Sequence, residues 1–208
     1  MGFGTLFLGY LFIFSFTYKG FDILPDVIGF LIIYFGLKKL SEYGYGFNNL
    51  KKYMYILFPS SLITFTLQIL TLIGFNIKFM TEIWNCIYIP LMLVFNLMLL
   101  LSIRNIASDL DLKVLRVRAL RNLIITVVYY GLILFFSLPF TFIKSTVALL
   151  TEKYAMGLVT YVLGYVWLFL NVLLIFSCYM YICKEGDEDM PVPEKKTKKK
   201  KEEENNGI

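Results

Sequence analysis

Uncharged polar side chains are the residues of this chain best placed to do chemistry, because they interrupt long apolar segments at helical spacing. Amides and hydroxyls in such segments either hydrogen-bond to a neighbouring helix or line a cavity that binds a small polar solute. The predicted cavity-lining residues are Thr64, Gln68, Asn96, Tyr130 and Asn171. Helix packing and a solute-binding cavity both remain open, since the same side chains serve either role.

Glycines recur at intervals of seven residues in two of the apolar segments. Gly29 and Gly36 form one pair, and Gly157 and Gly164 form the other. This spacing keeps two residues near one face of a helix, and glycines on that face allow another helix to come close. These glycines are therefore predicted helix-packing positions.

Asp22 and Asp26 are paired carboxylates close to one end of an apolar segment. At a helix start they would suit the positive end of the helix dipole, and Asp22 could cap the first turn. As functional groups they could form an extracellular mouth that attracts cations. They are too few for a metal site without histidine or a third carboxylate, so no metal and no cofactor is expected.

The chain contains no histidine and three cysteines, at positions 86, 178 and 183. Histidine is the usual general base of serine and cysteine hydrolases and the commonest metal ligand. The cysteines lack the C-x-x-C spacing of zinc and redox motifs. Lys144 and Ser145 are an adjacent base and nucleophile, but adjacent side chains rarely point together. We therefore expect a protein that is not an enzyme.

The segments that carry these residues are apolar over most of the 208-residue chain. Hydrophobic residues make up 58% of the sequence and charged residues 17%, against about 25% charged residues in soluble domains. The charge-free stretches are 3–18, 27–37, 53–77, 83–103, 122–143 and 154–183. A helix needs about 20 apolar residues to cross a bilayer, and the last four stretches provide them. The second stretch reaches that length only if its helix begins within 21–26.

These stretches predict an all-α fold, an integral membrane bundle of six transmembrane helices that occupies residues 1–183. The composition excludes a soluble enzyme, a nucleic-acid-binding domain and a disordered protein. Residues 184–208 carry blocks of acidic and basic side chains and few apolar ones. Because such a segment cannot form a core, we expect a disordered cytoplasmic tail.

Basic residues indicate the orientation, because cytoplasmic loops of membrane proteins are rich in lysine and arginine. With the N-terminus inside, the basic residues on the outer side are only Lys19, Lys78, Lys144 and Lys153 of the 20 in the chain. Six crossings then place both termini in the cytoplasm. The expected location is a bacterial plasma membrane, with membrane lipid around the protein and no nucleic-acid partner.

The segment 104–121, between the fourth and fifth apolar stretches, has an amphipathic pattern. Ile106, Leu110, Val114 and Val117 fall on one helical face, while most other positions are charged or polar. This pattern predicts a separate helix at the membrane surface. The alternative is a coupling element that contacts a soluble partner protein.

Residues 21–40, FDILPDVIGFLIIYFGLKKL, resemble a motif of small uncharacterised membrane proteins of low-GC Gram-positive bacteria. In that motif a D-x-L-P-D-x-I-G start leads into an apolar helix that ends in G-L-x-K-L. The resemblance covers this segment only. It implies a bacterial plasma membrane location and no particular activity.

In architecture the chain is similar to the substrate-binding S components of energy-coupling-factor vitamin transporters, which also have six helices with both ends inside. Those proteins dock through small residues on the first helix, where this chain has Thr5 and Gly9. Two functions remain open. One is a non-catalytic accessory, sensory or immunity-type component that acts through protein contacts, and the other is a small-solute binding or transport protein with a polar cavity inside the bundle.

Overall fold

The computed structural model describes residues 2–13, 17–18, 21–22, 26–138 and 156–182. Six α-helices account for most of them: α1 Gly2–Phe12, α2 Asp26–Leu40, α3 Phe47–Leu72, α4 Lys78–Asp109, α5 Lys113–Ser137 and α6 Met156–Ile182. A short 3₁₀ turn, Ser41–Tyr43, follows α2, and two-residue strands, β1 Thr17–Tyr18 and β2 Phe21–Asp22, pair between α1 and α2. Apart from this small hairpin, the predicted all-α fold is confirmed. The predicted tail, 184–208, lies outside the described residues.

Four helices, α3 to α6, are long and apolar enough to cross a membrane. Each of them has at least 25 residues, whereas α1 has 11 and α2 has 15. A helix of about 20 residues is needed to cross the hydrocarbon core. The described helices are therefore those of a membrane protein with four long apolar helices and two shorter ones.

The helices pack in a closed ring in which each helix contacts the next and α6 returns to α1. Aromatic side chains join helices across the ring. Phe3 of α1 meets Phe47 of α3 edge-on with 6.0 Å between ring centroids. Phe30 of α2 meets Phe95 of α4 in the same way, also at 6.0 Å. Such edge-to-face contacts stabilise buried rings, so the core ties the two short helices to the long ones.

α1 and α2 run antiparallel and contact each other through glycines. A Cβ atom added to Gly9 would lie 2.9 Å from the Gly29 carbonyl oxygen, and one added to Gly36 would lie 2.9 Å from the Gly2 carbonyl oxygen. Both distances are too short for any side chain. Because the glycines are spaced by seven residues on both helices, the close contact repeats along the hairpin.

The start of α2 corrects the prediction for Asp22. Asp22 lies in β2, where it pairs with Thr17, and α2 begins only at Asp26. A capping residue directly precedes the first residue of its helix, so the strand places Asp22 outside the capping position of α2. Asp26 occupies the first turn instead, where a carboxylate suits the helix dipole.

The segment 104–121 also differs from the prediction, because it does not form a separate surface helix. α4 continues to Asp109 and α5 begins at Lys113, so the segment is divided between the ends of two long helices. At the turn, Asp111 has a left-handed backbone with φ 52°, and the Leu112 N–H bonds back to the last turn of α4. This arrangement ends a helix and reverses the chain within a few residues.

The amphipathic pattern of that segment consequently belongs to two helices. Ile106 is buried on α4, at 1% exposure. Leu110, Val114 and Val117 are 43%, 63% and 63% exposed. The periodic pattern predicted the helical conformation correctly, but it could not reveal a tight turn in the middle of the segment.

Candidate functional site

A buried hydrogen-bonded network in the middle of the ring joins α1, α4 and α5. The Tyr10 hydroxyl donates to Asn96 Oδ1, and Asn96 Nδ2 donates to the Tyr130 hydroxyl at 3.1 Å and to the Met92 carbonyl at 2.8 Å. Asn96 is only 1% exposed. Its donors and its oxygen are all bonded within the protein, which removes the free-energy penalty of placing an amide in an apolar environment.

A second network joins α5 to α6. Asn122 Nδ2 donates to the Leu170 carbonyl at 2.8 Å and to Asn171 Oδ1 at 3.3 Å. Asn171 Nδ2 donates to the Trp167 carbonyl at 3.0 Å, and the Trp167 indole donates to Thr126 Oγ1 at 2.9 Å. These polar side chains are buried and bond to one another or to the backbone. They therefore hold α5 and α6 together.

Trp167 connects the two networks through aromatic contacts. Its ring stacks on Tyr129 at 4.9 Å and meets Tyr130 edge-on at 5.4 Å, and Tyr10 lies 6.4 Å away. Gly164 packs against the same Tyr129, whose hydroxyl would lie 3.0 Å from an added Cβ atom. The middle of the ring is thus filled by aromatic rings and paired polar groups.

The glycines predicted to pack helices lie in three places. Gly29 and Gly36 form the α1–α2 contact, and Gly164 faces α5. Gly157 lies in the first turn of α6. The predicted seven-residue spacing therefore coincides with a repeated close contact on α2.

The five predicted cavity-lining residues fall in two separate regions. Asn96 and Tyr130 bond directly to each other, and Asn171 belongs to the adjoining network. Thr64 and Gln68 lie elsewhere, in a cleft between α3 and α4. The structure therefore does not bring these five residues into one cavity.

The cleft between α3 and α4 lies near the turn that joins the two helices and has a volume of about 540 Å³, which is in the range of small-molecule sites. Its polar lining is Thr64, Gln68, Thr71, Thr81, Trp84 and Asn85. One hydrogen bond crosses it, from Trp84 Nε1 to Thr64 Oγ1 at 2.8 Å. We call this feature the α3–α4 cleft.

Asp26, predicted to lie at an extracellular mouth, bonds to the side of α4. The Tyr88 hydroxyl donates to Asp26 Oδ2 at 3.0 Å. Along the helix axis Tyr88 is about 15 Å from the first residue of α4. This contact places the Asp26 carboxylate well inside the length of α4 and links α2 to α4. Asp22 lies in β2.

Basic residues cluster at one end of the ring, which we call the basic end. It carries Lys38, Lys39, Lys51, Lys52, Arg104, Lys113, Arg116, Arg118 and Arg121. Lys78, at the start of α4, lies at the opposite end. At the basic end Tyr45 hydrogen-bonds to Asp109, and burial together with this carboxylate raises the pKa of the Tyr45 hydroxyl. The phenol therefore stays protonated at neutral pH and ties the turn before α3 to the end of α4.

The cysteines and carboxylates show no metal-binding arrangement in the part of the chain that the structure describes. No three or more Cys, Asp or Glu side chains come together there. The Cys86 thiol donates to the Ser137 carbonyl at 3.6 Å, and Cys178 is buried. Lys144 and Ser145 lie outside the described residues.

The sequence did not single out Tyr10, Asn122, Trp167 or Tyr88, although all four make polar contacts between helices. Asn122 directly follows a basic residue and therefore looked like the end of an apolar stretch. Its position four residues before Thr126 was the available signal, because that spacing places both on one helical face. Tyr10, Tyr88 and Trp167 gave no such signal, because each is one of several aromatic residues in an apolar helix.

Comparison with known proteins identifies no relative. No protein-family model matches the chain, and no curated protein and no solved structure is similar to it. A functional proposal for this chain therefore rests on its own residues and their geometry.

Proposed function

We propose that the chain is a polytopic protein of a bacterial plasma membrane and that its basic end faces the cytoplasm. The basic residues support this orientation, because cytoplasmic segments of membrane proteins are enriched in lysine and arginine. In this proposal α3 to α6 cross the membrane, and α1 and α2 complete six spans with both termini inside.

Cysteine labelling tests this topology. Asp22→Cys and Glu42→Cys are introduced separately into a chain whose native cysteines are replaced by alanine. Six spans predict that a membrane-impermeant thiol reagent labels position 22 from outside and position 42 only from inside. Labelling of both positions from the same side would contradict six spans.

We propose further that the protein is non-catalytic and acts as an accessory, sensory or immunity-type component through contacts with another protein. A group of exposed apolar side chains at the basic end carries this proposal. Leu110, Val114 and Val117 are 43%, 63% and 63% exposed. Leu110 lies about 9 Å beyond Arg104 along the helix axis. Apolar side chains at this level face headgroups and water, and covering them with another protein would lower the free energy of the complex.

The charges beside these side chains indicate the chemistry of the partner. Exposed Lys113 and Arg116 alternate with Val114 and Val117 along the first turns of α5, whereas the exposed carboxylates of Asp109 and Asp111 flank Leu110, so the basic charge lies on the α5 side of the surface. A partner segment with apolar and acidic side chains would complement both features. We therefore propose an acidic amphipathic segment of a protein partner, and we call this surface, formed by Leu110 and these four residues of α5, the α5 docking face.

The test is purification from native membranes in mild detergent, followed by native mass spectrometry of the intact particle. A stoichiometric second protein is expected. The double variant Val114→Ala/Val117→Ala should lose it. Val127→Ala/Val128→Ala is the matched control. These valines lie on the same helix and are 45% and 50% exposed, but they belong to the apolar part of α5 that crosses the membrane in this proposal. A particle that contains only this chain and lipid would contradict the proposal.

A second candidate function, binding or transport of a small solute, is favoured by the α3–α4 cleft. The cleft is large enough for a small molecule and has a polar lining. It lies between two helices rather than in the middle of the ring, where Asn96 and Asn171 are already hydrogen-bonded. A reproducible small-molecule mass in the same native spectra, without a second protein, would favour this candidate over the first.

A further inference from the structure

The α3–α4 cleft is built from two polar helix surfaces that face each other. Thr64, Gln68 and Thr71 follow one another at intervals of four and three residues, so they share one face of α3. Thr81 and Asn85 are four residues apart and share one face of α4. In an apolar environment two such surfaces would be expected to bond directly to each other. Here they instead enclose a space of about 540 Å³.

The threonine hydroxyls of the cleft already donate their hydrogen atoms to their own helices. Their acceptors are the carbonyls of Ser60, Leu67 and Ile77, at 3.1, 2.8 and 3.2 Å for Thr64, Thr71 and Thr81 respectively. A hydroxyl that has used its hydrogen can only accept a hydrogen bond from another molecule. Thr71 and Thr81 therefore present oxygen acceptors to whatever fills the cleft, whereas the Thr64 oxygen already accepts the Trp84 indole N–H and has one acceptor position left.

The amides of Gln68 and Asn85 add donors as well as acceptors. Both side chains are half-buried, and neither forms a hydrogen bond within the described part of the chain. Each amide has two N–H donors and a carbonyl acceptor. Hydrogen-bonding capacity that is left open beside lipid is costly unless water or a polar ligand satisfies it.

The position of the cleft along α3 indicates the routes by which a ligand can reach it. Thr64 and Thr71 lie about 18 Å and about 28 Å beyond Lys52 along the α3 axis. If Lys52 marks one surface of a hydrocarbon core about 30 Å thick, the cleft occupies the half nearer the opposite surface. Apolar Leu67 and Leu72 also line it. A ligand can therefore enter from the adjoining lipid or from the aqueous side.

We propose that the α3–α4 cleft binds an uncharged polyhydroxylated group, a sugar or glycerol moiety. The ligand's hydroxyls would donate to the threonine oxygens and exchange hydrogen bonds with the two amides. None of the described residues that line the cleft is charged, so beside them an ionic ligand would lose its hydration without gaining an opposite charge. The Trp84 ring supplies an apolar surface for the C–H face of a sugar. The same moiety can come from a membrane glycolipid or from free solute. This inference rests on the second candidate function and does not require a partner protein.

The binding test uses the full chain in phosphatidylcholine nanodiscs and three probes. A glucosyl diacylglycerol presents the sugar from the membrane, methyl glucoside presents it in solution, and phosphatidylglycerol presents a glycerol headgroup that carries a negative charge. Binding of the glucosyl lipid alone identifies a membrane source, and binding of methyl glucoside identifies a soluble source. Binding of phosphatidylglycerol in preference to both sugars, or binding of no probe, would overturn the proposal.

Variants of the lining residues show whether binding occurs in the cleft. Gln68→Met and Asn85→Leu remove the amides while keeping side-chain volume, and each should weaken sugar binding by about tenfold. Thr66→Val is the matched control, because Thr66 lies on α3 at the same depth and its hydroxyl donates to the Leu62 carbonyl at 2.8 Å, but it does not line the cleft.

Thr71→Val provides an independent variant if an amide variant fails to fold, and it should weaken binding because it removes an oxygen acceptor. Equal binding by the wild-type chain and the lining variants would overturn the assignment of the site. Equal weakening by Thr66→Val would do the same. Neither result depends on whether a protein partner co-purifies, so the proposed accessory function can fail or hold independently.

Discussion

The α1–α2 and α3–α4 interfaces both join neighbouring helices of the same ring, but they are built in opposite ways. Between α1 and α2, glycines bring the two backbones into direct contact at Gly9 with Gly29 and at Gly2 with Gly36. Between α3 and α4, larger polar side chains leave a cleft of about 540 Å³. Small residues at one spacing close an interface, whereas polar side chains with few bonds between them leave it open.

The central networks show a third case, in which polar side chains close an interface because they bond to each other. Asn96 and Asn85 are amides on the same helix, α4. Asn96 bonds to two other helices, α1 and α5, whereas Asn85 bonds to none of the described residues. The same residue type therefore contributes to stability in one place and remains available for a ligand in the other.

The largest expected loss of stability comes from closing the glycine contact. In Gly9→Ala the new Cβ atom would lie 2.8 Å from the Ile33 nitrogen and 2.9 Å from the Gly29 oxygen, so the helices must move apart. We expect the free energy of unfolding to fall by about 3 kcal/mol. Reversible denaturation in detergent measures it.

Gly131→Ala is the control for that substitution. No atom lies within 4 Å of a Cβ atom at Gly131, and alanine favours the helix over glycine by up to about 1 kcal/mol. The stability of this variant should be unchanged or slightly higher. If Gly9→Ala behaves like Gly131→Ala, α1 and α2 are not in direct backbone contact.

The next largest effect is expected for Asn96→Leu. This change leaves the hydroxyls of Tyr10 and Tyr130 without their Asn96 partner in an apolar environment, so the free energy of unfolding should fall by about 2 kcal/mol. Asn85→Leu, measured in the same denaturation experiment, should change it by less than about 0.5 kcal/mol. Equal losses in the two variants would show that Asn85 contributes as much to stability as Asn96 does, which contradicts the distinction between the network and the cleft.

A smaller loss is expected for Thr126→Val, which keeps the side-chain shape and removes the acceptor of the Trp167 indole. Loss of one buried hydrogen bond should lower the free energy of unfolding by about 1 kcal/mol. Thr66→Val removes a hydroxyl that bonds only within α3, so it serves as the comparison and should be close to neutral. An unchanged stability in Thr126→Val would show that the indole has another acceptor.

The smallest change in stability is expected for Gln68→Met. The Gln68 amide makes no hydrogen bond with the described residues, so its removal should shift the free energy of unfolding by less than about 0.5 kcal/mol. The same variant should weaken sugar binding by about tenfold. A large loss of stability, measured by the same denaturation series, would indicate that Gln68 packs structurally and is not held open for a ligand.

The long helices could be predicted from the sequence, because a charge-free stretch of about 20 residues has few alternatives to a membrane-crossing helix. The packing of Gly29 and Gly36 was predictable from their spacing, because a seven-residue interval places both on one face of a helix. Both features depend on a single helix and its periodicity. The strand at Asp22 and the turn at Asp111 were not predicted, because each is a short local structure that interrupts the periodic pattern.

The division of the polar residues into a bonded network and a cleft could not be predicted from the sequence. Asn96 and Gln68 have the same kind of side chain in the same kind of apolar segment. What separates them is the order of helices in the ring, which places Tyr10 and Tyr130 next to Asn96 and no such partner next to Gln68. Contacts between distant segments of the chain leave no local pattern.

The most direct test of the difference between network and cleft compares Asn85→Leu with Asn96→Leu in two measurements, the free energy of unfolding and the affinity for a glucosyl lipid. We predict that Asn85→Leu binds the lipid about tenfold more weakly and unfolds like the wild-type chain. We predict that Asn96→Leu unfolds more easily and, while folded, binds like the wild-type chain. If Asn85→Leu instead loses as much stability as Asn96→Leu and binds the lipid normally, the cleft is a structural interface and not a ligand site.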